Sequence, residues 1–118
     1  MSVKPRADDS GRDLLPGTLE MLILQTLRRG PLHGYAIAQR IRQTSEDVLQ
    51  VEEGSLYPAL QRLLRAGWVV AEWAISSRNR RVRNYKLTPA GRRRLEHEKA
   101  GFERLIEAIS RVMRPAES

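Results

Sequence analysis

Gln61, Arg62 and Arg65 lie on one side of a predicted helix, a turn beyond Pro58, and a run of arginines from Arg78 to Arg83 follows inside a two-strand pattern. Glutamine can form a bidentate pair with adenine, and arginine with guanine or a phosphate. Ser55 and Tyr57, near the helix start, offer hydroxyls to phosphate oxygens, with the helix dipole in support. Standing alone, such residues describe an ordinary solvated face. Followed at once by a basic hairpin, they describe a helix for the major groove with an arm beside it.

From Arg78 to Arg94, eight of seventeen residues are Lys or Arg and none is acidic. A solvated surface normally mixes signs, whereas a block of one sign repels itself until an anion arrives. Arg78, Asn79 and Arg80 stand at the hairpin tip, where they suit the minor groove or its flanking phosphates. Arg81 and Arg83 extend the basic set along the returning strand. Arg92 to Arg94 point around a helix in all directions, so at most two of them can face the same ligand.

The remaining titratable residues point away from catalysis. His33 and His97 are the only histidines. His33 stands where a helix begins and reads as a cap or a phosphate contact, with Tyr35 beside it in the same set. One histidine cannot build a metal site. Glu52 and Glu53 fall on opposite sides of an extended segment, which does not suit paired-carboxylate chemistry. No Ser-His-Asp order, glycine-rich phosphate loop or metal-ligand cluster appears, so we expect neither an enzyme nor a cofactor.

These residues must be positioned by a small set of elements. Residues 1–13 are polar, broken by Pro5 and Gly11, and read as a disordered lead-in. The spacing predicts a first helix from about Pro16 to Arg29, with Leu19, Leu22, Ile23, Thr26 and Leu27 inward. Met21 and Leu24 fall on nearly the opposite side, where a monomer would expose them and a second subunit could cover them. A second helix covers about residues 33–44. Gly54 opens a third, with Ser55 as its N-cap, Pro58 in its first turn and Gly67 as a left-handed C-cap. Strands follow at 68–75 and 81–87 with a tip at 76–80. Thr88 caps a last helix reaching about Met113, along which Leu95, Phe102, Leu105, Ile106, Ile109, Val112 and Met113 form a heptad-like stripe for a dimer interface. Residues 115–118 read as a disordered tail. The expected architecture is mainly α with a small antiparallel β-hairpin: a winged helix-turn-helix over residues 14–88 and a dimerisation helix over 89–114.

Composition agrees. The chain has 118 residues, 21 Lys and Arg against 14 Asp and Glu, a net charge of +7 and no cysteine. That surplus favours an anionic partner, and disulfides and thiolate metal sites are excluded. The longest apolar run, Met21 to Leu24, is far too short to span a bilayer, and the start lacks a signal-peptide core. We therefore expect a soluble cytoplasmic protein without a membrane partner.

At these residues the chain resembles the PadR family of bacterial transcriptional regulators. The resemblance rests on Leu14-Leu-Pro-Gly-Thr-Leu-Glu-Met-Leu-Ile-Leu, Gly30-Pro-Leu-His-Gly-Tyr-Ala-Ile-Ala, Val51-Glu-Glu-Gly-Ser-Leu-Tyr-Pro-Ala-Leu and Tyr85-Lys-Leu-Thr-Pro-Ala-Gly, and covers about residues 14 to 113. It implies a winged-helix homodimer that binds an inverted-repeat operator in double-stranded DNA, represses transcription and is released by a small ligand or another signal. The single C-terminal helix is similar to the shorter subfamily. By position, the recognition helix is 55–66 and the wing 68–87. Multidrug-binding relatives carry tryptophans on the last helix; here that helix has only Phe102, and both tryptophans, Trp68 and Trp73, belong to the first wing strand. The competing reading is a winged-helix interaction module whose basic face docks an acidic protein.

Overall fold

Two backbone devices set the end of the helix at Glu53–Ala66 and the start of the long helix at Pro89–Met113. The first is Gly67, left-handed at φ 79°, whose N–H and that of Trp68 bond back to the carbonyls of Leu64 and Leu63. A residue with a Cβ resists this conformation, so glycine is the natural stop. The second is Thr88, whose Oγ1 accepts from the Gly91 N–H at 2.9 Å while its hydroxyl donates to the Gly67 carbonyl at 2.8 Å. One threonine thus caps a helix and ties it to the end of another.

The computed structural model describes residues 17–115. The expected lead-in at 1–13, Pro16 at the first helix start and tail residues 116–118 lie outside them. The elements run in the order α1 (Thr18–Thr26), a 3-10 turn (Leu27–Arg29), β1 (Leu32–His33), α2 (Gly34–Thr44), α3 (Glu53–Ala66), β2 (Val69–Ile75), β3 (Arg81–Leu87) and α4 (Pro89–Met113). The three strands form one antiparallel sheet in the order β1-β3-β2. This is the expected helical fold with its hairpin. The addition is β1, where Leu32 pairs with Tyr85 and His33 with Asn84. Two residues are too few to show a strand's alternation, so sequence alone cannot mark them.

Ile23, Leu24, Leu27, Ile37, Leu56, Leu60, Leu63, Val69 and Leu95 are sealed in a single core. Each such side chain contributes roughly 1.5–3 kcal/mol of burial. Three expectations need correction here. Met21 and Leu24 do not face outward: both are buried within one chain, because α4 folds back over α1. The buried arc of α1 is Met21, Ile23 and Leu24, continued by Leu27 in the 3-10 turn, while Leu19 and Leu22 sit half-buried at its flank. Leu95 is likewise fully enclosed by its own chain, so it is a core residue and has no surface to offer a partner.

The start of α3 also differs. Its N-cap is Glu52, whose carbonyl accepts from the N–H groups of Ser55 and Leu56, so Ser55 lies inside the first turn. Pro58 falls one turn deeper than expected and is an interior proline, removing the bond its N–H would make to Gly54.

Candidate nucleic-acid interface

Leu56, Ala59, Leu60 and Leu63 fix α3 in the core, which leaves its opposite face to solvent. Ser55, Pro58, Gln61 and Arg65 are exposed along that face. Arg62 stands beside them but is engaged: its Nε lies 2.6 Å from Glu20 Oε2 on α1. This pair ties α3 to α1, although the Arg62 side chain remains half-exposed at 53%.

Tyr57 has a double character. Its ring packs against Gly34, where an added Cβ would lie 2.7 Å from the phenolic oxygen and would push the ring aside. Burial, then the charge of Glu53 and the neighbouring Tyr85, raise its pKa above the ordinary 10.0, so the hydroxyl stays a donor at neutral pH. His33 occupies the N-cap position of α2 but its side chain makes no cap bond, which corrects the capping expectation: β1 pairing, not the imidazole, fixes this turn. Tyr35, in the first turn of α2, is 64% exposed.

The wing tip is closed by its own backbone. The Ser76 N–H donates to the Arg80 carbonyl at 2.7 Å, and the Asn79 N–H to Ser76 at 2.9 Å. Ser76 Oγ accepts from the N–H groups of Arg78 and Arg80. Asn79 takes the positive φ of 61° that the turn needs, a conformation asparagine tolerates. Arg78, Asn79 and Arg80 are exposed at this tip. Arg81 and Arg83 lie on the hairpin face whose base, Val69, Tyr85 and Leu87, is core. Their guanidinium carbons stand 4.3 Å from the Trp73 ring centre and 5.9 Å from that of Tyr85. Trp68 lies just before β2, with Arg94 4.6 Å above its ring.

Ion pairing sorts the arginines. Arg28, Arg42, Arg62, Arg94 and Arg111 each have a carboxylate partner. Among the described residues, no carboxylate pairs with Arg65, Arg78, Arg80, Arg81 or Arg83. The four wing arginines thus carry no counter-charge from the described residues, and neither does Arg65 on the exposed face of α3; Arg29, Arg40, Arg92 and Arg93 elsewhere on the surface are likewise without an ion pair among them. Sequence spacing missed the Glu20–Arg62 pair, because its partners are 42 positions apart.

Among the described residues no group of His, Asp and Glu could hold a metal, and no helix is long and apolar enough to cross a membrane. The sequence profile of the transcriptional regulator PadR-like family matches residues 23–97, which include α2, α3 and the wing. The chain belongs to the PadR-like family. It is 31% identical over 99 residues to the transcriptional regulator Rv3488 of Mycobacterium tuberculosis, covering 83% of this chain and 88% of that protein. It is 44% identical over 86 residues to an uncharacterized 37.1 kDa protein in transposon TN4556 of Streptomyces fradiae. That match takes 73% of this chain but spans only 23% of the longer protein. The crystal structure of a PadR family transcription regulator from Clostridium difficile R20291 superposes with a TM-score of 0.72 at 27% identity, covering 83% of this chain and all of the other. This PadR-like chain is therefore a DNA-binding transcriptional regulator and not an enzyme.

Proposed function

We propose that this PadR-like regulator is a homodimeric repressor that reads an inverted repeat, with α3 in the major groove and the wing on the flanking backbone. The observation that carries the reading is the exposed face of Ser55, Pro58, Gln61 and Arg65 beside a hairpin whose arginines lack carboxylate partners. Gln61 and Arg65 read base edges; Ser55, Tyr57, His33 and Tyr35 position the helix on phosphates; Arg78, Asn79 and Arg80 anchor the wing. What supports the dimer is the second half of α4. Leu105, Ile106 and Ile109 are 41–46% exposed there, and Val112 and Met113 more so, all on one side of the helix. A contiguous apolar stripe of that kind is covered in a stable protein, and a second copy gives the two-fold an inverted repeat needs. Phe102, half-buried at the start of the stripe, joins it to the core.

Release by a small ligand fits a cleft of about 230 Å³ between the start of α1 and α4, lined by Thr18, Met21, His97, Glu98, Phe102 and Arg104. A molecule wedged there would shift α4 against α1, and α1 is braced to α3 through Glu20 and Arg62. Selection of bound fragments from a random DNA pool tests the proposal. An enriched inverted repeat is the expected result; a pool that stays unenriched would favour an acidic protein as the partner of the basic face.

A further inference from the structure

Trp73 is large, apolar and 59% exposed, in the middle of a wing strand that has no packing need for it there. Its one notable neighbour is Arg81, diagonal to it across the hairpin, since Trp73 pairs with Arg83 and Ile75 with Arg81. The Arg81 guanidinium carbon lies 4.3 Å from the ring centre. A guanidinium stacked in this way covers its flat face and leaves its N–H edges free to reach an oxyanion.

The contrast with Arg62 is instructive. A carboxylate holds that guanidinium by taking its Nε–H and offsetting its charge. An aromatic ring restrains an arginine while leaving both charge and donors intact. Such a restraint is useful where a flexible cation must be in place before its anion arrives, because ordering an arginine on binding otherwise weakens association.

We propose that Trp73 is a positioning residue for DNA binding: its ring pre-orders Arg81 so that the guanidinium edge meets a backbone phosphate beside the groove read by α3. This rests on the DNA-reading surface described above. The stack sits on the hairpin face that is core at its base, on the strand leading away from Arg78 and Arg80 at the tip. Arg81 thereby adds a fixed phosphate contact below the wing tip.

The test is a set of variants of the full chain titrated with a fragment taken from the random-pool selection. A stack of this exposure corresponds to roughly a two- to fivefold change in affinity per subunit bound. Trp73→Leu should weaken binding by that factor with the salt slope unaltered, because Arg81 keeps its charge. Trp73→Phe should restore most of the affinity. Arg81→Lys should weaken binding while keeping the slope, and Arg81→Gln should flatten it by roughly one per subunit. In an Arg81→Gln background, Trp73→Leu should cost nothing further. Losses that multiply in the double variant would overturn the proposal, since Trp73 would then act independently of Arg81. So would an unchanged affinity for Trp73→Leu. A wild-type chain that binds no fragment in the pool refutes the DNA reading itself, an outcome visible before any variant is made. Thermal melting of Trp73→Leu, expected to match wild type because the residue lies outside the core, separates lost positioning from lost fold.

Discussion

Gly91 is the position where one added carbon does most harm. A Cβ there would sit 2.0 Å from the carbonyl oxygen of Trp68, a backbone atom with no rotamer to escape by. Gly91→Ala should therefore cost at least the roughly 1–3 kcal/mol of an overpacked site, read as a lower urea midpoint; an unchanged midpoint would refute the close approach. Tyr57 gives a pH signature. Its raised pKa means the folded chain holds the phenolic proton more tightly, so that part of the stability is complete below pH 10.0 and falls as pH rises through the folded value. Tyr57→Phe should lack this alkaline step in urea titrations across pH 9–12. On DNA, Gln61→Ala should relax the preference at one base position by about 1–3 kcal/mol, whereas Arg80→Ala should weaken all sequences alike. Equal, uniform losses for both would contradict the division between reading helix and anchoring wing. That Gln61, Arg65, Arg78 and Arg80 stand exposed on a helix and a hairpin was legible in the sequence, because type and spacing mark those elements locally. Arg62 was not, since nothing local reveals that Glu20 meets it across the fold.

At the scale of elements, α4 is one helix with two environments. Gly91 and Leu95 are buried in its first half, Phe102 is half-buried midway, and the side chains of 103–113 are exposed. Leu95→Ala should destabilise the fold itself by about 2–5 kcal/mol. Ile109→Asp should leave the thermal melt of the DNA-binding elements nearly intact while shifting sedimentation at micromolar concentration from dimer to monomer. A chain that stays dimeric with Asp at 109 would place the interface elsewhere. Sequence periodicity located the two hairpin strands, Gly67, Thr88 and the extent of α4, because each carries a local signal. It misplaced the faces of α1. Apolar residues surround that helix, and only the return of α4 decides that Met21 and Leu24 are covered from within. The same tertiary fact removes Leu95 from the proposed interface and leaves Leu105, Ile106, Ile109, Val112 and Met113 as its exposed candidates.

The molecule measures 61 × 36 × 21 Å, elongated by the projecting end of α4, and carries a net charge of +7. A dimer joined along these helices would hold two reading helices at a fixed separation. The surplus charge makes affinity steeply salt-dependent: if the dimer neutralises on the order of six to ten phosphates, binding should fall roughly 10³- to 10⁵-fold between 50 and 200 mM salt. The most direct test of the account is a hydroxyl-radical footprint on the fragment enriched from a random pool. We predict two equivalent protected half-sites related by a two-fold, their centres about 34 Å or twice that apart along the duplex, with flanking backbone protection from the wings. Protection of one asymmetric half-site by a monomer would contradict it.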